Sequence, residues 1–320
     1  MTEIAGSRIA VVGGAGLIGS HLVDQLTHED VSVVVIDNLV RGRRGNLAEA
    51  LTSPRVKLVV ADIRDQEGLR KAMEGSDYVV HLAALWLLQC REDPRACLEV
   101  NVVGTQNVIE AARELHVKKV VFSSSASVYG EPSYLPMDES HPFNNRTAYG
   151  ASKIAGEQML RAFYEMYGLN YVGLRYFNVY GPRQDHRGAY VSVFMRFLDR
   201  IERGEPPVFF GDGGQTMDFV YVEDVARSNL LALKSLATDA NYNIASGSET
   251  TLNELAALIL RLKGSTLQPV YQRDAVPGIQ RRRATVEKAK KELGFTATTS
   301  LEEGLKKLIA WRASARAREA

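Results

Sequence analysis

Two cysteines, Cys90 and Cys97, are all that the 320-residue chain contains, too few for a disulfide framework or a cysteine-based metal centre. They stand seven residues apart in a stretch of helical character, so they are expected on one helix face as small core residues. No other metal-ligand spacing occurs, and no metal is expected. No apolar run approaches the ~20 residues a membrane helix needs. The first ten residues, Glu3 among them, lead into a strand pattern rather than a signal peptide. A cytoplasmic protein is the expectation. Charge of one sign is also missing, since 39 Lys and Arg against 38 Asp and Glu leave a net +1. That argues against a nucleic-acid binder and against docking on an acidic membrane. Two local basic spots remain, Arg41/Arg43/Arg44 and Arg281–Arg283. They read as solvated surface or as contacts to a phosphate-bearing ligand.

What is present is an ordinary globular composition, 45% hydrophobic and 24% charged. Nearly continuous apolar runs at Ile9–Val12, Val31–Ile36, Val56–Ala61, Tyr78–His81, Val120–Phe122 and Tyr171–Leu174 alternate with amphipathic stretches. Helical patterns fill Gly19–Thr27, Gln66–Met73, Val102–Leu115 and Ser152–Tyr167. The βαβ order and the fully apolar strands predict an α/β fold, a doubly wound parallel sheet of Rossmann type covered on both faces. Asn241–Ala245 reads as one more strand of that sheet. The expected division is a cofactor domain over residues 1–184 plus about 220–247, and a smaller mixed α/β lobe from about 185–219 and 248–320. The Arg/Ala-rich tail, Ala313–Ala320, is expected to fray.

The first strand runs into Gly13-Gly14-Ala15-Gly16-Leu17-Ile18-Gly19 and then a helix. Both Gly14/Gly16/Gly19 and Gly13/Gly16/Gly19 fit a dinucleotide-binding turn. Glycine is needed there for the tight turn, for close approach of a pyrophosphate, and for packing of helix on strand. The helix N-terminus at Leu17 and Ile18 then offers free N–H groups to the phosphates. Asp37 ends the second strand, 18 residues after Gly19. A carboxylate there accepts hydrogen bonds from a ribose diol and repels a 2′-phosphate, which favours NAD over NADP. Arg41 and Arg43 are the counter-evidence. Asp62-Ile63 and His81-Leu82-Ala83-Ala84 end the third and fourth strands, so their loops should line the cofactor. His81 itself reads as a satisfied residue at a strand end.

Tyr149 and Lys153 are four apart, on one face of a helix. A nearby ammonium favours phenolate, which makes Tyr149 usable as an acid or base near neutral pH. About 25 residues earlier the strand end Phe122-Ser123-Ser124-Ser125 supplies hydroxyls that could hold a reacting oxygen.

With these pieces in view the chain resembles the extended short-chain dehydrogenase/reductase family, in particular its UDP-galactose 4-epimerase-like members. The resemblance rests on GGAGLIGSH, VIDNL, ADIRD, HLAA, NVVGTQNVIEAA, VFSSSASVYG, AYGASK, LRYFNVYGPRQ, FGDGGQTMDFVYVEDV and KAKKELGF, which span nearly the whole chain. It implies NAD, a nucleotide-diphosphate sugar bound by the smaller lobe, and a homodimer. Tyr149 then resembles the catalytic base, Lys153 its cofactor-bound partner, and Ser125 the hydrogen-bonding hydroxyl. Asp37 and Asn38 resemble the adenosine-ribose contacts, and Asp62 and Ile63 the adenine contacts. Asn101, Ser123 and Tyr176 fall at further cofactor positions. Asn178, Tyr190, Val191, Phe210, Gln215 and Arg273 fall at substrate positions, with Asn178 at the pyrophosphate and Phe210 against the base.

Within the family, 4,6-dehydratases carry an Asp-Glu pair directly after the catalytic hydroxyl, decarboxylases usually keep a Glu there, and 3,5-epimerase/reductases use a Cys nearby. Here the positions are Ala126 and Ser127. The resemblance therefore points to 4-epimerisation through a transient 4-keto sugar, a UDP-sugar being favoured. The alternatives are a 4-keto-sugar reductase or dehydrogenase, a dehydratase or decarboxylase of the family, and, more remotely, a non-catalytic NAD-binding sensor. Two departures bear on the substrate. Met217 stands where relatives often have an arginine that grips the diphosphate, so Arg273 or one of Arg281–Arg283 is expected to replace it. Leu85-Trp86-Leu87-Leu88 stands where a small polar loop is usual, and Trp86 is expected near the sugar.

Overall fold

The computed structural model describes residues 3–185, 192–272 and 280–317. Thirteen strands occur among them. The first six are β1 (Arg8–Val12), β2 (Ser32–Asp37), β3 (Val56–Val60), β4 (Tyr78–His81), β5 (Lys119–Ser125) and β6 (Tyr171–Tyr176). Four short ones follow, β7 (Asn178–Tyr180), β8 (Val208–Phe210), β9 (Thr216–Met217) and β10 (Phe219–Tyr221). The last are β11 (Ala240–Ile244), β12 (Thr250–Thr251) and β13 (Val270–Gln272). The helices are α1 (Leu17–Leu26), α2 (Gln66–Met73), α3 (Leu87–Glu92), α4 (Pro94–Leu98), α5 (Gly104–Glu114), α6 (Ala148–Tyr167), α7 (Val193–Glu202), α8 (Val222–Lys234), α9 (Leu252–Leu262), α10 (Glu287–Leu293) and α11 (Leu301–Ala317).

Seven strands form one sheet in the order β11-β6-β5-β4-β1-β2-β3, and every pairing in it is parallel. Chain order reverses about β1, which lies between β2 and β4. Ligands of open α/β sheets bind in the crevice outside the carboxyl ends of the strands at such a switch point. The apolar runs follow from burial on both faces. Ile9 and Val11 of β1 enter one core cluster and Ala10 and Val12 the other, because successive side chains of a strand point to opposite faces. Helices α1 and α8 share the first cluster, and α2, α5 and α6 the second.

The smaller lobe has its own core. Phe194, Phe197, Leu198, Phe209, Phe219, Tyr221, Leu255, Ile259 and Leu305 pack around Tyr180, whose ring stacks on Phe194 at 4.7 Å. Tyr180 and Tyr221 come from segments expected in the cofactor domain, and their side chains enter this core instead. Burial of each such side chain contributes roughly 1.5–3 kcal/mol. A side-chain cluster closes one edge of this lobe: buried Arg312 of α11 reaches Asp199, and its Nε donates to Glu202 at 2.9 Å. Arg316 adds a bond to Glu202 at 2.6 Å. These pairs keep α11 helical through Ala317, so the expected fraying of the tail does not include residues 313–317.

The cysteines differ from expectation. Cys90 and Cys97 are both buried but joined in a disulfide, with their Cα atoms 4.8 Å apart. They do not share one helix. Asp93 caps α4 by accepting from Ala96 N, and Pro94 occupies its first position. That break folds α4 back and brings the two sulfurs together. A single turn of π-helix, Glu99–Val103, then leads into α5.

Candidate active site

The glycine turn is fitted to its neighbours. Gly13 has φ +83°, and a Cβ on it would lie 2.5 Å from Ala83 N. A Cβ on Gly19 would lie 2.5 Å from Gly13 O. Gly14 is also required, since a Cβ there would meet Val35 at 2.7 Å. Gly16 is the N-cap of α1 and offers no side-chain cap, so the first N–H groups of the helix, at Leu17 and Ile18, face the crevice without a competing side chain. These features form a cradle for a phosphate.

The loop after β2 is tied to this turn. Asp37 accepts from Ala15 N and from Leu39 N, both at 2.9 Å. A carboxylate has about four acceptor sites, so its capacity for a ribose diol is not exhausted. Asn38 Nδ2 donates to Asp62 at 3.0 Å, bringing the two expected adenosine contacts together across β2 and β3. A fork from Arg64, at 2.8 and 2.9 Å, holds the Asp62 carboxyl well below the usual carboxylate range. Ile63 is buried beneath, against Gly104.

After β4, Leu82 N and Ala83 N both donate to Val12 O, at 2.7 and 3.0 Å, which lays this loop and Ala84 along the end of β1. Asn101 does not face the crevice with a free amide. Its side chain accepts from Leu85 N at 2.7 Å and donates to Leu85 O at 2.9 Å and Ser152 Oγ at 3.1 Å. Its contribution is to the loop that carries Trp86. His81 is satisfied at only one ring nitrogen, short of the expectation: Nε2 lies 3.0 Å from Thr105 Oγ1, while Nδ1 is buried without a hydrogen-bond partner among the described residues. Burial, aided by the charge of Lys153, pushes its imidazole down to about 3.

Tyr149 and Lys153 lie in the first turns of α6, which starts where Thr147 Oγ1 accepts from Gly150 N at 3.0 Å. Tyr149 and Ser125 are brought into hydrogen-bond contact. Lys153 Nζ donates to Ser123 O at 2.7 Å and lies 5.7 Å from the centre of the Tyr149 ring. Tyr176 donates to Asn229 at 2.8 Å behind them. The electrostatics depart from the expectation that Lys153 alone would acidify the phenol. Burial raises the Tyr149 pKa, and the Ser125 hydrogen bond and the Arg41 charge oppose it. Burial also pushes the Lys153 amine down to about 7, with Glu157 opposing. The reason is desolvation, which penalises the charged form of both groups.

Sequence reasoning missed the support behind α6. Glu157, one turn beyond Lys153, forms a buried fork with Arg175 of β6, at 2.7 and 2.9 Å, and accepts from Ser124 Oγ.

On the substrate side, Asn178 sits at the start of β7, its Nδ2 donating to Asp218 O at 3.2 Å. Phe210 is half exposed at the end of β8, and its carbonyl accepts from Gln215 Nε2 at 3.0 Å. Trp86 caps α3, with the Arg41 guanidinium 5.0 Å above its ring. Tyr190, Val191 and Arg273 lie outside the described residues. Of the arginine triplet, Arg281 is forked onto Glu249 at 2.6 and 2.9 Å, and Arg283 Nε donates to Gly247 O at 3.1 Å. Arg282 differs. Its backbone N donates to Thr216 O, beside Met217, its Nε is buried with no hydrogen-bond partner, and burial pushes its guanidinium down to about 10. Nearby Asp218 is fully buried, ties Ser246, Gly247 and Ala284 together, and is pushed up to about 6 by burial.

Comparison with known proteins places this geometry. Residues 9–245 match the family described as the NAD dependent epimerase/dehydratase family. A protein of Methanocaldococcus jannaschii that carries the provisional name UDP-glucose 4-epimerase is 40% identical over 95% of this chain and 97% of its own. The UDP-glucose 4-epimerase of Mycolicibacterium smegmatis is 36% identical over 94% of this chain and 97% of its own. Among solved structures, the UDP-N-acetylglucosamine 4-epimerase of Methanobrevibacter ruminantium, in complex with UDP-N-acetylmuramic acid, superposes with a TM-score of 0.92 at 35% identity. That alignment covers 97% of this chain and 99% of the other.

Proposed function

The chain belongs to the NAD dependent epimerase/dehydratase family, and from that premise we propose that it is an NAD-dependent 4-epimerase of a nucleotide-diphosphate sugar, a UDP-sugar by preference. The residues present fit the cofactor. Gly13 and Gly19 let the turn close tightly on Ala83 and on itself, α1 presents its first N–H groups beyond Gly16, and Asp37 with Asn38 and Asp62 suits an adenosine. NAD, when bound, supplies an acceptor and donor of hydride.

The chain's own groups handle the proton. Tyr149 takes the C4 hydroxyl proton and returns it, with Ser125 holding the oxygen that changes from hydroxyl to ketone. The positive charge of Arg41 and the Ser125 hydrogen bond favour the phenolate against burial. The observation that carries the reading is this single proton-transfer group beside Ala126 and Ser127. Ala126 is buried, on the turn directly after Ser125. Elimination of water needs a further acid and base, and neither residue supplies one. Reversible oxidation at one carbon is the chemistry that remains.

Arg282 is our candidate for the substrate anion, standing beside Met217 where relatives often place an arginine. The proposal includes a homodimer, supported by apolar side chains exposed on α4, α6 and the π turn between α4 and α5: Leu98, Val103, Met166 and Tyr167. A monomer in light scattering at micromolar concentration contradicts that part. The function is tested with a panel of UDP-, dTDP- and GDP-sugars followed by NMR for inversion at C4. Tyr149→Phe should lower turnover by about 10²-fold or more and leave cofactor binding intact. Substantial activity in that variant, or loss of water rather than inversion, removes the assignment. Release of NAD on dialysis favours the reductase alternative.

A further inference from the structure

We propose that Arg41, stacked on the Trp86 indole, bridges the crevice above the glycine turn and pairs with the diphosphate of the bound dinucleotide. This rests on the reading that NAD binds here. The strand order carries the argument. β1 lies between β2 and β4. Arg41 belongs to the loop after β2, and Trp86 to the loop after β4. A contact between the two therefore passes over the carboxyl end of β1, from which the Gly13–Gly19 turn emerges.

Both anchors of the bridge are fixed. Arg43 N and Asn46 Nδ2 donate to Ala15 O at 3.0 and 2.9 Å, which docks the first loop on the glycine turn itself. Gly42 fits so closely that a Cβ on it would lie 2.5 Å from the Asp37 carboxylate. The second loop is held at Leu85 by both polar atoms of the Asn101 amide, and the Cys90–Cys97 disulfide lies behind it. Between them the guanidinium carbon stands 5.0 Å from the Trp86 ring centre. Stacking on an aromatic face orients a guanidinium and leaves its N–H edge available for a bidentate contact.

The acid at this place is a weak competitor. Asp185, whose charge acts on Arg41, makes its ion pair with Arg43 at 3.6 Å, and the Arg43 and Asp185 side chains are both 40% exposed. Such a water-exposed pair is worth at most about 1 kcal/mol, whereas charge-assisted guanidinium–phosphate contacts are stronger. The charge of Arg41 also reaches Tyr149, which agrees with a position between the glycine turn and the catalytic tyrosine.

The test uses cofactor-stripped full-length protein and calorimetric titration with ADP-ribose, adenosine and UDP. Arg41→Gln should weaken ADP-ribose by about tenfold or more and leave adenosine, which has no diphosphate, and UDP unchanged. Arg41→Lys should fall between, because a point charge on a flexible stem neither stacks nor forks as well. Trp86→Leu should weaken ADP-ribose severalfold through loss of the stack. Unchanged ADP-ribose affinity in Arg41→Gln overturns the proposal. So does an equal loss for adenosine, which would mark a collapsed loop, or a loss confined to UDP, which would assign the cation to the sugar nucleotide. Wild-type protein that binds no ADP-ribose overturns the NAD reading as well, so the two failures are distinguishable.

Discussion

Replacing Glu157 by Gln should unsettle the catalytic helix without touching a reacting atom. Its side chain is 1% exposed and that of Arg175 is 4% exposed. The carboxylate takes two bonds from the guanidinium and one from Ser124 Oγ. Arg175 spends its remaining hydrogen bonds on Tyr129 Oη and Glu139 O, at 2.9 and 3.0 Å. Gln removes the counter-charge and turns an N–H group toward a donor, leaving a buried cation uncompensated. Breaking such a pair from one side costs about 3–5 kcal/mol. For a chain of 320 residues the unfolding entropy corresponds to about 0.7 kcal/mol per degree, so the melting temperature should fall by about 6 °C. Calorimetry reads this directly. The double variant Glu157→Met/Arg175→Met should recover most of the loss, because an apolar pair avoids the desolvation of both charges. The kinetics should move too. Glu157 holds the Lys153 pKa up against burial, so its neutralisation should shift any limb of the rate profile that reports Lys153 to lower pH. A variant that melts within about 1 °C of wild type, or a double variant as unstable as the sum of the singles, would refute the account.

Three further outcomes follow from the same structure. Lys153 has a folded pKa near 7 and an unfolded value of 10.5, so above about pH 7 the unfolded chain binds more protons. Stability toward urea should therefore rise between about pH 7 and about pH 9.5, short of tyrosine ionisation, and Lys153→Met should flatten that rise; an unchanged slope contradicts the buried amine. Arg282→Met should weaken UDP binding by about tenfold or more, and Met217→Arg in that background should restore part of it; UDP affinity indifferent to Arg282 removes it from the substrate site. Thiol titration of unreduced, unfolded protein should find no free cysteine, and Cys90→Ala/Cys97→Ala should lose about 2 kcal/mol of stability; two titratable thiols would disprove the bridge.

The sheet was legible because a parallel strand is buried on both faces, so β1 reads as four consecutive apolar residues whose alternate members face different helix layers. The turn at Gly13–Gly19 and the placing of Tyr149 and Lys153 on one helix were legible for the same kind of reason, since each is a local pattern. Three things were not. The disulfide was hidden because helical spacing assumed an unbroken helix from Cys90 to Cys97; the available signal was Asp93-Pro94, a capping residue followed by a proline at the first helical position. Which member of Arg281–Arg283 turns inward was hidden because it depends on pairing with Thr216, a partner 66 residues away from Arg282. The low pKa of Lys153 was hidden because spacing reports neighbours, whereas desolvation reports everything that excludes water.

The inward-turned arginine bears on specificity. An enzyme that holds a dinucleotide and a nucleotide-diphosphate sugar together must neutralise two diphosphates in one crevice, and a net charge of +1 gives no general field to help. The cations have to be local. The glycine turn, Asp37 and the Tyr149–Lys153 pair sit at strand ends and helix starts, where the sheet fixes them. The cations assigned here, Arg41 and Arg282, instead come from loops, one lying over the Trp86 ring and one with its Nε buried and its backbone bonded to Thr216, next to Met217. Loops change sequence without disturbing the sheet, so a guanidinium lost at position 217 can be supplied from another segment at little cost to the fold. On this view the frame dictates that a hydroxyl is oxidised and reduced, Arg41 serves the dinucleotide, and a substrate-side loop cation such as Arg282 decides which nucleotide sugar presents that hydroxyl.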